Sequence, residues 1–386
     1  MGIFQEYIER RMPVSELVAE RKSYLRKISE IRGGRNILVY ASNFRVSDAA
    51  NYIWQEDLLP LSDQLSNLSG PSLDVIIETP GGIGEVAEDM VRMIRHKFED
   101  VAFIIPGSAK SAGTIMAMSG DDILMEPDSS LGPVDAQMSW QGRGFSAEAF
   151  KEGLEAIKTE VEGKGALNKA YIPILQNISP GEIQHAANAM EFAKNLVTQW
   201  LQNYKFRTWE RHKSTGDPVT EETKRRRANE IAKELSNHSK WKTHGKSIKI
   251  SDLREMGLRI TDYSENTALY DAIRRYYVLL NVFFEISPQI YKVIETPTSQ
   301  IYKRKSVEKE AANPKLADKA IIELSCEKCK NTSKIQLNFK TGIPLDEGVL
   351  AYPPNDIFNC PFCGAEHNLV AIRQNVELQT GRGRIK

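Results

Sequence analysis

The chain has 386 residues, of which 51 are basic and 51 acidic, so no net field draws it to nucleic acid or to a membrane surface. With 41% hydrophobic residues it can bury more than one core, and no run of eighteen apolar residues exists to cross a bilayer as a helix. Residues 1–28 are charged throughout and lack the apolar centre of a secretion signal, and Glu6 stands where myristoylation needs Ser or Thr, so a soluble cytoplasmic protein is expected.

Residues 1–32 read as one or two amphipathic helices, ended by Gly33 and Gly34. A regular alternation follows. Strands are expected at 36–40, 75–78, 101–105 and 122–125, and helices at 47–67, 84–98 and 111–119. Short apolar strands alternating with helices imply parallel βαβ units, an α/β sheet with ligands at the carboxyl ends of its strands. From 146 onward the pattern is helical, at 146–161, 167–176, 180–204, 219–236, 251–256 and 263–285. Residues 294–319 are polar, charged and proline-containing, as a linker would be, and separate a main domain at 33–293 from a strand-rich module at 320–375. A flexible tail, 376–386, is expected to close the chain.

Two segments carry chemistry, and both lie where strands end. Residues 75–82 (VIIETPGG) run an apolar strand into two glycines, and residues 106–120 (PGSAKSAGTIMAMSG) set Ser111 where a helix begins. Small neighbours leave room for a substrate backbone, and amides of a Gly-Gly turn and a helix start can hold an oxyanion. Ser111 is the candidate nucleophile, with Gly81, Gly82 and Ala112 as candidate oxyanion donors.

These residues, with Thr79, Pro80, Gly84, Gly107, Ala109, Gly113, 125–127 (MEP) and 129–134 (SSLGPV), resemble the Clp-protease/crotonase superfamily across about 35–136. Within it the sequence is most similar to the signal-peptide-peptidase-A-like serine peptidases and the serine dehydrogenase proteinase family. That resemblance implies a stacked-sheet α/β spiral, a Ser111 nucleophile, polypeptide substrates and self-assembly into oligomers.

The general base is harder to assign. Residues 127–137 contain no histidine, only Asp128 and Asp135 as ionisable groups, so the lysine used by the signal-peptide-peptidase-like group is expected instead. A lysine base must be neutral, which requires burial or a cationic neighbour. Lys164, between Gly163 and Gly165, is the first choice, then Lys169 and Lys151; Lys110 adjoins the nucleophile but is expected to point away. His244, in a His-Gly turn, reads as marking where the last helices pack, and His96, His185, His212 and His238 as surface residues.

Cys326, Cys329, Cys360 and Cys363 form two Cys-x-x-Cys pairs and are all the cysteines of the chain. Four thiolates at that spacing fit a zinc ribbon, with no open position, so a structural zinc and no catalytic cofactor is expected. The run Lys224–Arg227 lies among glutamates on a helix, as an ion-paired face does, which argues against a nucleic-acid partner. The sequence reading is a serine peptidase with a Ser-Lys dyad. Two alternatives stay open: an oligomeric adaptor working through the ribbon, and a crotonase-type acyl-CoA enzyme using the same loops on a thioester.

Overall fold

The computed structural model describes residues 2–45, 49–140, 143–212, 215–305 and 318–380. Two compact units divide it, Met1–Lys305 and Ser306–Lys386. No described helix is long and apolar enough to cross a membrane.

The first unit is built on a seven-stranded sheet. Asn36–Ser42, Ser72–Glu78, Asp100–Ile105, Asp122–Met125 and Thr261–Asp262 run parallel in that order, and Ile290–Glu295 and Gln300–Arg304 add an antiparallel hairpin beside Asn36–Ser42. The parallel strands other than Thr261–Asp262 are apolar over most of their length because both faces are covered. Leu38, Tyr40, Val75, Ile77, Val101 and Phe103 join a core with helices Leu58–Ser66, Gly84–Lys97, Ala112–Ala117, Pro180–Trp200 and Glu221–Ser236. Their neighbours Ile37, Val39, Ala41, Ile76 and Ile104 join the opposite core with Ile3–Arg10, Val14–Ile31 and Thr267–Ile286.

A second, smaller layer forms beyond the carboxyl ends of the strands. Ser108–Ala109 pairs in parallel with Ser130–Leu131, and isolated bridges extend it: Thr79 to Ala109, Leu131 to Ile248, and Ile53 to Gly82. This gives the α/β architecture its stacked character.

Three expectations change. The linker does not begin at 294: residues 290–295 and 300–304 are strands of the main sheet, and Lys292, Glu295 and Thr296 are buried despite their polarity. Glu295 takes an ion pair from Arg21 at 2.8 Å with both side chains fully buried, so residues 1–32 belong to the first unit rather than standing apart. Among the described residues 49–67 the α-helix is confined to Leu58–Ser66, because Ile53 is drawn into its bridge with Gly82. Residues 306–317, the middle of the expected linker, and 381–386 of the expected tail lie outside the described residues, whereas Val370–Thr380 is helical.

The second unit pairs Lys319–Ser325 with Thr332–Asn338, adds Leu350–Ala351, and closes with the hairpin Ile357–Asn359 and Glu366–Asn368. Its core is small, centred on Ile322, Ile335, Leu337, Phe339, Phe358 and Leu369.

Candidate active site and cysteine cluster

Ser111 sits at the turn between the short strand Ser108–Ala109 and the helix Ala112–Ala117, with φ 49° and ψ −117°. A non-glycine residue at positive φ is strained, and such strain persists where the surroundings over-determine it. The surroundings here do so. Thr79 N–H donates to the Ser108 carbonyl at 3.0 Å and Lys110 N–H to the Thr79 carbonyl at 2.9 Å, zipping the Gly-Gly turn to the Ser111 turn. A Cβ on Gly81 would lie 2.6 Å from Ser111 Cβ, and one on Gly113 would lie 2.4 Å from Thr79 Cγ2, so both positions need glycine for close approach. The Gly81 N–H donates to Thr79 Oγ1 at 3.2 Å, whereas among the described residues Gly82 N–H and Ala112 N–H donate to nothing.

The edge beside Ile83, where an extended chain could add, is already taken. Ile53 N–H donates to the Gly81 carbonyl at 2.7 Å, and Ile83 N–H donates to the Ile53 carbonyl at 3.1 Å.

Lysine geometry differs from the expectation. Lys164 ends the helix Ala147–Lys164 with its side chain 70% exposed, paired to Glu160 at 2.8 Å. Its hydrogen bond to that carboxylate raises its pKa, the reverse of what a neutral base requires. Lys169, in the short turn Lys169–Tyr171, and Lys151 are exposed as well. Lys110 is the half-buried lysine beside Ser111; burial and the nearby charge of Lys249 push it down to about 8, against the pull of Glu78. Its Nζ nevertheless faces oxygens: the Leu131 carbonyl at 2.9 Å, Ser130 Oγ and Ser247 Oγ at 3.1 Å, and the Lys246 carbonyl at 3.4 Å. Carbonyl partners call for a donating ammonium, so Lys110 acts as a clamp.

That clamp brings a histidine segment to the nucleophile turn. Lys249 Nζ donates to the Asp128 and Ser129 carbonyls at 2.6 and 3.1 Å, and Leu131 and Ile248 exchange two backbone bonds of 3.0 Å. A Cβ on Gly132 would meet Lys110 Cα at 3.3 Å, so residues 131–132 run alongside the nucleophile strand. Just beyond, Asp135 is buried between two imidazoles. Oδ1 lies 2.6 Å from His244 Nδ1 and Oδ2 lies 3.1 Å from His238 Nδ1, with Asp135 1% and His244 29% exposed. Burial pushes the Asp135 carboxyl up, but the hydrogen bonds and charge of His244 and His238 outweigh it and hold it below its ordinary value. An ionised Asp135 accepts from Nδ1–H and leaves His244 Nε2 with the lone pair. Among the described residues that nitrogen has no partner. The sequence reading took His244 as marking where the last helices pack; the Asp135 it meets lies 109 residues away in the chain.

Behind the turn, Glu78 takes the Ser108 N–H at 2.9 Å and the Tyr277 hydroxyl at 3.3 Å. Burial pushes its carboxyl up to about 8 despite these donors. A raised carboxyl pKa contributes stability that is present at low pH and lost as pH rises through the folded value. The wild-type unfolding midpoint, relative to that of Glu78→Gln, is therefore expected to fall by roughly 5 °C between about pH 5 and pH 9. Parallel midpoints across that range, measured by calorimetry, would contradict the assignment.

In the second unit the Sγ atoms of Cys326, Cys329, Cys360 and Cys363 all lie within 4.8 Å of one another. Each pair stands on the same turn: Lys330 N–H to Cys326 carbonyl at 2.8 Å and Cys326 N–H to Asn331 carbonyl at 2.9 Å, repeated by Gly364, Cys360 and Ala365 at 2.9 and 2.8 Å. Lys330 and Gly364 adopt the left-handed conformation these turns require, φ 62° and 70°.

The first unit's site is thus a set of strand-end glycines facing a strained serine in an α/β fold. Residues 3–150 match the model of a family described as ClpP-like SDH-type serine proteinase. Two uncharacterized proteins of Methanocaldococcus jannaschii are similar: one is 27% identical over 242 residues, 62% of this chain and 65% of the relative. The other is 28% identical over 190 residues, 49% of this chain and 53% of the relative, so the matches span less than two thirds of either relative. Among solved structures, a membrane-bound stomatin-specific protease aligns with 14% identity and a TM-score of 0.33, covering 57% of this chain and 79% of that one. A methylmalonyl-CoA decarboxylase aligns with 16% identity and a TM-score of 0.21, covering 65% and 92%.

Proposed function

We propose that the protein is a serine peptidase acting through Ser111, His244 and Asp135, with Gly82 and Ala112 amides as the oxyanion hole. The observation that carries the reading is Ser111 itself, strained at a strand-to-helix turn with Gly81 pressed against its Cβ. Ser111 Oγ attacks the scissile carbonyl carbon while His244 Nε2 takes its proton. The carbonyl oxygen becomes an oxyanion that the two amides receive. As the tetrahedral intermediate collapses, the C–N bond breaks and imidazolium protonates the leaving amine; water then repeats the sequence on the acyl-enzyme. Asp135 holds the Nδ1–H tautomer and offsets the imidazolium charge.

The Asp135–His244 pair favours a triad over the Ser-Lys dyad, since Lys164 and Lys169 are solvated. Polypeptide is the matching substrate class, and self-association is open to light scattering. A fluorophosphonate probe tests the nucleophile: wild-type protein is expected to be labelled stoichiometrically, and Ser111→Ala not at all. Undiminished labelling of the alanine variant would sink the assignment.

The cysteine cluster would hold one structural zinc. A tetrahedral site with Zn–S of about 2.3 Å sets its sulfurs about 3.8 Å apart, and the pairs Cys326–Cys363 and Cys329–Cys360 stand at 3.6 and 3.7 Å. His367 Nε2, 3.2 Å from Cys326 Sγ, is positioned to donate to that thiolate.

A further inference from the structure

One buried charge cluster in the first unit takes no part in the proposed chemistry. Asp57 is fully buried and receives Lys292 Nζ at 2.6 Å, Lys303 Nζ at 2.8 Å and the Tyr40 hydroxyl at 2.7 Å. Lys292 is equally buried. From this cluster, bonds run to one short stretch of backbone. Lys292 Nζ donates to the Tyr52 carbonyl at 2.9 Å, and Trp54 N–H donates to Asp57 Oδ2 at 3.0 Å. Ser42 Oγ adds a bond to the Asn51 carbonyl at 2.7 Å. Ile53 is thereby anchored on both sides.

Ile53 grips the catalytic turn. Its N–H donates to the Gly81 carbonyl, its carbonyl accepts from the Ile83 N–H, and it lies so close that a Cβ on Gly82 would sit 2.3 Å from Ile53 N. The Gly81 carbonyl and the Gly82 N–H belong to one planar trans peptide, so they point in opposite directions. Turning the carbonyl toward Ile53 turns the Gly82 N–H away from it. Gly82 has no side chain to resist rotation, with φ 149° in a region closed to other residues. Without the bridge, that peptide plane would be free to flip.

We propose that Asp57, Lys292 and Lys303 are positioning residues for the reaction: they anchor residues 51–54 so that Ile53 fixes the Gly81–Gly82 peptide and aims its N–H at the oxyanion. The inference rests on the Ser111–Gly82 reading above. Substrate does not add at the Ile83 edge, because the chain's own Ile53 occupies it for this purpose. An oxyanion donor is worth about 10²–10³ in rate, and a misaligned one forfeits part of that.

The test uses Lys292→Met, Asp57→Asn and the milder Lys303→Met, whose side chain is 14% exposed and whose loss leaves the Lys292–Asp57 pair intact. Each is compared with wild type in fluorophosphonate labelling rate and in kcat and KM on a denatured protein substrate, per folded molecule by thermal melt. The expected result is a loss of about tenfold in labelling rate and kcat, with KM within about twofold. A purely structural cluster would lower the melting temperature and leave kcat of the folded fraction unchanged. Should Lys292→Met fail to fold, Lys303→Met decides. Wild-type rates in folded variants, with labelling still lost in Ser111→Ala, overturn the positioning role and leave the catalytic reading standing. Absence of Ser111-dependent labelling in wild type overturns both.

Discussion

His244→Ala is expected to lower kcat for peptide hydrolysis by about 10³–10⁴-fold, and Asp135→Asn by a comparable factor, with both proteins folded. The reason is the geometry at Asp135. Its 2.6 Å bond to His244 Nδ1 fixes which nitrogen carries the proton, and an asparagine would offer an N–H where an acceptor is needed. His238→Ala separates the two imidazoles on this carboxylate: it leaves the His244 bond in place, and its effect is expected to be at least tenfold smaller. Lys164→Ala and Lys169→Ala are expected to stay within about twofold of wild type, since both lysines are exposed. Steady-state kinetics on the five proteins decides. Loss at a lysine with full activity in His244→Ala would restore the dyad.

Four strands of the parallel sheet were legible because each is a short, largely apolar run buried on both faces, and because Gly81, Gly82 and Ser111 fall at strand ends where a βαβ fold puts its ligands; the polar pair Thr261–Asp262 gave no such signal. The edge hairpin was not. Lys292 and Glu295 are charged and still buried, satisfied by Asp57 and Arg21 from distant parts of the chain, and Thr296 is buried against Ser299, so a composition reading from 294 onward took this stretch for a linker. The pairing of His244 with Asp135 was missed for a related reason. It depends on Lys110, Lys249 and the Leu131–Ile248 bridge folding residues 244–249 back onto 128–135, contacts with no local sequence signal. A lysine in a flexible loop was the available guess, and Lys164 instead satisfies an ordinary i, i+4 helix pair with Glu160.

Zinc removal is expected to unfold the second unit while sparing the nucleophile. Residues 318–380 surround only a handful of buried apolar side chains, among them Ile335, Leu337, Phe358 and Leu369, too few to offset the entropy of ordering such a chain. The first unit, by contrast, has two extensive cores of its own. Structural zinc contributes about 10–16 kcal/mol in finger-sized peptides, comparable to the whole stability of an ordinary domain at about 5–15 kcal/mol. Purified protein should hold about one zinc per chain, and Cys360→Ser should lose most of it, because a three-thiolate remnant leaves a coordination position open. Hydrogen exchange in the presence of a strong chelator should then show protection lost across 318–380 and retained in the strands Asn36–Ser42 and Ser72–Glu78, with fluorophosphonate labelling of Ser111 within about twofold of the untreated rate. Retained protection in 318–380 after verified metal loss would show that the apolar core suffices alone. Labelling that collapses with the metal would mean that the ribbon supports the catalytic unit directly.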